Sequence, residues 1–406
     1  MIKKTAKSYQ NSFKGLSKEV WWLALITFIN RAGTMVLPFL SLYLTEDLKF
    51  SLAQVGTIMA FFGVGSLLGS WLGGRLTDKI GFYPVMFWSL LITGFLFIGL
   101  QYVTTFYGFA FAMFFTMVIA DTFRPAMFVS LKTYSKPENQ TRSLTLIRLA
   151  INLGFSFGPF LGGIIIATLY YPGLFWIDGI TCIAAIMLMR IVLKEKKPVL
   201  SKNNNLDKEL SISVFKDKSY LIFLVVVFLM GFMFLQLFTT MPLYYKVDHG
   251  LSEVEIGLLM SVNGLLIFIL EMPLIHSIEK STLNKLKVIT WSLVLFVLCF
   301  YVLNVSNWVG ILIVSMVLIT FGEMLAFPFT NNFAMNRAPS GKEGKYLAMY
   351  TMAFSMAHIF SAKTGMEIIE RFSFETNWYF MGSLGIVAVL LMLWLQKTLQ
   401  NEPKTN

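Results

Sequence analysis

The stretch "ADTFRPA" (Ala120–Ala126) sets Asp121 and Arg124 three residues apart, between the apolar runs "FYGFAFAMFFTMVI" and "MFVSL". A charge at the centre of a bilayer costs roughly 2.5–3.5 kcal/mol on insertion scales, so a carboxylate and a guanidinium kept in such a run point to proton or ligand chemistry. The same reasoning singles out Asn30 and Arg31 in "FINRAG", Gln236 in "FLQLF", Glu323 in "TFGEML", and His358 with Lys363 in "AHIFSAKTG". Asp121 is the expected leading proton carrier, and Glu323 a second carrier or cation-binding group. Arg31 and Asp121 both fall near mid-depth, where they can pair. A carboxylate paired in one state and dry in another can bind a proton on one side and release it on the other. The competing reading is a static ion pair that holds helices together.

Other polar residues sit nearer the ends of their apolar runs. Glu271 and Arg148 lie close to one end, where gate pairing competes with plain interfacial exposure. Lys363 and Glu367, four apart, are expected to pair locally. A lone helix histidine such as His358 serves either packing or a ligand. Asp178 ("FWIDG") reads as a helix-start cap or an interfacial residue.

The elements that must position these residues are dictated by composition. Of 406 residues, 56% are hydrophobic and only 14% charged, against roughly 25% charged in soluble domains; mean hydropathy is +0.68. Apolar runs of about twenty residues, each enough to cross a bilayer as a helix, recur from Val20 to Gln396. A polytopic α-helical membrane protein follows, with the bilayer as its first partner. The net charge of +11 is spread over short segments between apolar runs, so nucleic acid is not an expected partner. Cys182 and Cys299 lie in separate apolar runs and form neither a CxxC nor a Cys/His cluster; free thiols are expected, and no metal site. No P-loop, HExxH or GxSxG is present, which argues against ATP drive and against an enzyme. No cofactor is expected. The first helix lacks a small-residue cleavage site, so a removed signal peptide is not expected.

Twelve spans can be read, at about 20–44, 52–74, 84–103, 107–131, 144–168, 174–193, 219–243, 253–275, 288–304, 309–333, 346–369 and 377–396. Of the 33 Lys and Arg, only Lys49, Lys246 and Arg371 fall in outer loops; Arg31, Arg124, Arg148 and Lys363 fall within spans, as does Arg190 at the inner end of span six. The rest crowd the inner segments, which sets both termini in the cytoplasm. The expected organisation is a cytoplasmic segment 1–19, a six-helix bundle 20–193, a basic linker 194–218, a second bundle 219–396 and a tail 397–406. The two bundles repeat at an offset near 201–204: Pro38 with Pro242, Ser51 and Gly56 with Ser252 and Gly257, Asp78-Lys79 with Glu279-Lys280, Asp121 with Glu323, Gly162 with Gly365. Such an ordered series argues for a parallel duplication.

Two motifs carry a family resemblance. "GSWLGGRLTDKIGF" (Gly69–Phe82) resembles the G-x-L-x-D-x-x-G-[RK] signature between helices two and three of the major facilitator superfamily, with Gly74, Leu76, Asp78 and Gly81 matching and Phe82 replacing the basic residue. "NLGFSFGPFLGG" (Asn152–Gly163) is similar to the fifth-helix motif of drug antiporters in that superfamily, with Gly154, Gly158, Pro159, Gly162 and Gly163 in register and Thr145 in place of one further glycine. The fourth-helix arginine of proton-driven exporters, in its R-x-x-x-G setting, is missing. The overall chain, including "INRAGTMVLPFLSLYLT" in span one, looks most like a subset of bacterial multidrug and small-peptide exporters.

The resemblance implies an all-α membrane protein of twelve helices in two pseudo-symmetric six-helix bundles, working by alternating access in the inner (plasma) membrane, with a monomer expected. It implies that helices one, four, seven and ten line a central cavity, where Asn30, Arg31, Asp121, Arg124, Gln236 and Glu323 fall; His358 joins them as a candidate substrate contact. It assigns gating to Gly74, Asp78, Gly81, Gly158, Pro159 and Gly162, to which Arg148 and Glu271 are added from their positions near the span ends. The expected activity is proton-coupled antiport of small hydrophobic or amphipathic compounds, with the proton gradient as energy source. The alternatives are a carrier of dipeptides, amino acids or other polar metabolites, and a transport-dead membrane sensor.

Overall fold

A computed structural model describes residues 15–136, 139–196, 214–338 and 343–402. Most of the expected linker 194–218 and parts of the two tails, 1–14 and 403–406, lie outside them. Every described regular element is a helix. Among the described residues, ten segments are long and apolar enough to cross a membrane. One of these, Arg142–Val192, has 51 residues, about 75 Å at 1.5 Å per residue, more than twice a hydrocarbon core. It is interrupted by Tyr170, whose φ of 59° and ψ of −178° leave the helical region, just before Pro172. It thus supplies spans five and six. The helix Glu343–Arg371, too polar to count among the ten, occupies the place of span eleven. This protein is a multi-pass membrane protein whose described helices are consistent with the twelve spans read from sequence.

Three spans that read as continuous are broken in mid-course, and each break has a cause in the sequence. Span one is a helix Lys18–Ala32, an irregular Gly33–Met35, and a second helix Val36–Leu42 that runs into a π-turn Tyr43–Asp47. Span four stops at Ala120 and restarts at Phe123. Pro125 has no N–H to give the Asp121 carbonyl four residues back, so the ladder fails at Asp121 and Thr122. Span seven divides at Leu235, between Lys218–Phe234 and Gln236–Val247. There the Ser361 hydroxyl donates to the Phe232 carbonyl at 2.7 Å, the acceptor an unbroken helix would offer to the Gln236 N–H. Span ten, by contrast, runs unbroken from Gly310 to Arg337 around Pro328.

By compactness the chain forms two units, one of residues 1–37 with 64–201 and one of 38–63 with 202–406. In lipid, helices gain little by hiding apolar area from each other, so close packing of small residues carries the association. In the first unit a stripe of Gly65, Gly69 and Gly73 lays span two on span four: a methyl group at Gly65 would sit 2.5 Å from the Phe114 carbonyl oxygen, and one at Gly73 2.6 Å from the Thr122 Cα. Gly154 and Gly158 bring span five onto span one in the same way, with Arg31 Cβ 2.5 Å from where a Gly154 methyl would be. In the second unit the start of span two packs on span eleven. The Ala53 N–H donates to Glu370 Oε2 at 2.8 Å, and Lys363 Nζ donates to the Ala53 carbonyl at 3.2 Å and to Thr57 Oγ1 at 2.9 Å. Elsewhere in that unit Arg337 closes span ten by pairing with Asp217 at 2.8 Å and Glu402 at 2.6 Å.

Candidate functional site

Asp121 sits where span four is interrupted, on the side facing span two. Its Oδ2 accepts a hydrogen bond from the Ser66 hydroxyl. Ser66 reaches it because Gly65 and Gly69, on the same face, hold the two backbones together. Beside this pair lies a cavity of about 80 Å³, lined by Asn30, Arg31, Asp121, Arg124, Asp178 and Cys182 among others. That is room for more than one water molecule at about 30 Å³ each. Two carboxylates and two guanidiniums therefore face one small space. Among the described residues no ion pair joins Asp121 to Arg31 or Arg124, so the pairing expected from sequence is not made here.

Of the other cavity groups, Asn30 and Asp178 have hydrogen-bond partners. The Arg31 guanidinium lies 5.7 Å from the Phe155 ring centre, while its buried Nε has no hydrogen-bond partner. Asn30 Nδ2 donates to Cys182 Sγ at 3.6 Å. Asp178, fully buried, accepts from the Met35 N–H at 2.9 and 3.1 Å and from the Val36 N–H at 2.9 Å. It lies inside the helix that supplies span six and caps the second half of span one. Sequence reading expected a cap, but for its own helix. The signal was present in "GTMVLP": a helix that restarts two residues before a proline needs an acceptor for its first N–H groups.

The repeat reappears in the second unit. Glu323 Oε2 accepts from Asn263 Nδ2 at 2.9 Å, and the same amide donates to Thr320 Oγ1 at 3.0 Å. In both units a mid-span carboxylate on span four or ten is thus held by a polar side chain from span two or eight. Ser66 and Asn263 were not singled out from sequence. Their cue was a lone polar residue beside a helix-packing glycine, in "GVGSLLG" and "SVNGLL".

The remaining candidates fall elsewhere. Gln236 is fully buried with its amide committed: Nε2 donates to the Ser361 carbonyl at 3.0 Å and hydroxyl at 2.8 Å, and Oε1 accepts from Thr240 at 2.5 Å. His358 stacks on Phe62, ring centres 5.1 Å apart and 7° from parallel. Lys363 pairs with Glu367 at 2.9 Å, as its spacing predicted. Glu271 is buried and Arg148 half-buried. Of the signature loop, Gly81 takes φ +88°, a backbone that favours glycine and ends one helix before the next begins. Asp78 is exposed, and open space surrounds the Gly74 Cα. Gly158 packs on span one, Pro159 sits within the helix of span five, and Gly162 is buried. Cys182 and Cys299 are free and buried.

The family model described as Major Facilitator Superfamily matches residues 23–362 and 281–406. The chain belongs to the major facilitator superfamily. Relatives of this facilitator include an uncharacterized MFS-type transporter, YttB of Bacillus subtilis, 23% identical over 95% of this chain and 96% of that one. A Na(+), Li(+), K(+)/H(+) antiporter of Planococcus maritimus is 21% identical over 91% and 93%, and multidrug resistance protein 2 of Bacillus subtilis is 22% identical over 89% and 91%. The fold is shared with a solved POT family transporter in complex with 5-aminolevulinic acid, at TM-score 0.78, 16% identity and 95% and 97% coverage. It is shared also with nucleoside transporter NupG, at TM-score 0.80, 15% identity and 93% and 100% coverage.

Proposed function

We propose that this facilitator is a proton-coupled antiporter that exports small hydrophobic or amphipathic compounds, its two six-helix halves, 20–193 and 219–396, alternating access with both termini in the cytoplasm. The observation that carries the reading is Asp121: a carboxylate at the interruption of a membrane helix, hydrogen-bonded to a serine, beside a small cavity that Asp178 and two arginines also line, and in no ion pair among the described residues. A proton arriving at Asp121 meets a neutral hydroxyl partner, so the carboxyl can gain or lose it without breaking a salt bridge. Glu323, held by Asn263, is the second carrier. The antiporter and multidrug-resistance names among relatives support the coupling and the substrate class. The gating role proposed for Gly74, Asp78 and Gly81 follows from the family signature, and that for Arg148 and Glu271 from their places near the cytoplasmic ends of their spans.

The test is transport into inside-out vesicles with and without an imposed proton gradient. Asp121→Asn should abolish gradient-driven movement of fluorescent amphipathic cations while leaving melting temperature and expression unchanged. Full coupling in that variant would reject the assignment. A second reading rests on Arg31, whose buried Nε lacks a partner in a cavity that Arg124 also lines: a carrier of carboxylate-bearing solutes such as dipeptides. Gradient-driven uptake of a labelled dipeptide that Arg31→Gln abolishes would favour it over export of apolar compounds.

A further inference from the structure

A groove of about 250 Å³ lies between spans two, three and four of the first unit, on a different face from the Asp121 cavity. Its walls are Leu72, Leu76 and Ile80 on one side and Trp88 and Ile92 on the other, with Ile119 at its floor. Leu72 to Ile80 is eight residues, so the groove runs about 12 Å along span two. A concave apolar space of this size is no home for water, which needs two to four polar partners.

Charge is arranged along one edge of this groove. Trp71, Arg75 and Lys79 follow one another at four-residue intervals, on the stripe next to Leu72, Leu76 and Ile80, and all three are exposed. The Arg75 guanidinium stacks on the Trp71 ring at 3.9 Å, which holds it at the surface. Among the described residues neither Arg75 nor Lys79 takes part in an ion pair. Asp78, the acidic group of the same turn, is exposed beside them. Apolar groove and basic stripe meet at the end of the unit where the Lys- and Arg-rich loops gather, and exposed Trp71 and Trp88 suit the headgroup level.

We propose that this groove is a binding site for one anionic phospholipid, with an acyl chain between spans two, three and four and the phosphate held by Arg75 and Lys79. A zwitterionic lipid brings the same chain but no net charge for the two cations. The site is independent of the transport reading above and stands whether or not Asp121 carries a proton.

The experiment uses full-length protein in detergent, titrated with POPG, with POPC or with inorganic phosphate, and reads the melting midpoint. POPG should raise the midpoint saturably; POPC should do so at least about tenfold more weakly, and phosphate alone should have no effect. Arg75→Gln with Lys79→Gln should raise the half-saturating POPG concentration about tenfold, whereas Lys280→Gln with Lys285→Gln, two exposed lysines of the other unit, should not move it. Ile119→Trp, which fills the groove, should weaken POPG binding with both cations intact. Equal effects of POPG and POPC, stabilisation by phosphate alone, or unchanged POPG affinity in the Arg75/Lys79 variant overturns the proposal.

Discussion

Two aspartates line the same cavity of the first unit, and their surroundings give them different work. Asp178 spends both oxygens on backbone N–H groups of span one, as an N-cap does for its own helix. Removing such a cap costs about 0.5–2 kcal/mol, more where charged hydrogen bonds are lost and buried N–H groups are stranded. Asp178→Ala should therefore lower the melting midpoint by several degrees, and Asp178→Asn by less, because one acceptor oxygen remains. Asp121→Asn should leave it alone, since Ser66 can still donate to the amide oxygen. Tryptophan-fluorescence melting of the three variants side by side decides it; an Asp178→Ala protein as stable as wild type would remove the capping role. The sequence marked Asp121 as special because a charge in an apolar run is costly wherever it lies. It marked Asp178 less well, because the group that needs it is 142 residues away along the chain, and only the folded unit brings them together.

Helices show the same division between what a sequence displays and what it conceals. Apolar length alone located the spans, since the bilayer demands a fixed rise. The interruptions of spans one, four and seven were less visible, for three different reasons. Pro125 displaces the break to a residue four positions earlier, at the carbonyl it leaves without a donor. Gly33 leaves span one free to break, but the break is stabilised by Asp178 from another helix. Span seven divides around a hydroxyl from span eleven, which no local rule foresees. Packing stripes are half legible: the glycines of span five stand out as a motif, whereas on span two the signature matches Gly74, while Gly65, Gly69 and Gly73 make the close approach. Gly69→Leu should be poorly tolerated, because its added atoms meet the Val118 carbonyl, and overpacking of this kind costs about 1–3 kcal/mol. Gly74→Leu, at a position with open space around it, should be far milder in stability. Expression level and melting midpoint of the two variants provide the comparison, and equal loss would refute the packing assignment.

For the molecule as a whole, the repeat is the most informative property of the sequence. It pairs Asp121 with Glu323, and each has a polar partner on the neighbouring span two or span eight. The repeat did not reveal the ion-pair cluster around Arg337. Burial works against the charge of Asp217, but Arg337, the Tyr220 N–H and the Tyr346 hydroxyl together hold its carboxyl below the usual range. Arg337 and Ser219 do the same for Glu402. A carboxyl with a depressed folded-state pKa adds stability above the ordinary carboxylate value near 4 and loses it as pH falls through the folded value. Wild-type protein should thus lose melting temperature progressively below about pH 4, and Arg337→Gln should start lower at neutral pH and fall less steeply. Identical acid slopes for the two proteins would show that the cluster contributes nothing.

The interruptions have one more consequence. A continuous rod passes a change of tilt along its whole length, and to flex it must break backbone hydrogen bonds. A jointed rod has already given those bonds up, so its two segments can change angle against a low restoring force. Spans one, four and seven are jointed within a turn of Arg31, Asp121 and Gln236 respectively, so the compliant point and the polar group share one depth. Whatever binds or titrates at that depth acts on a joint, with almost no lever arm between the chemistry and the movement it sets off.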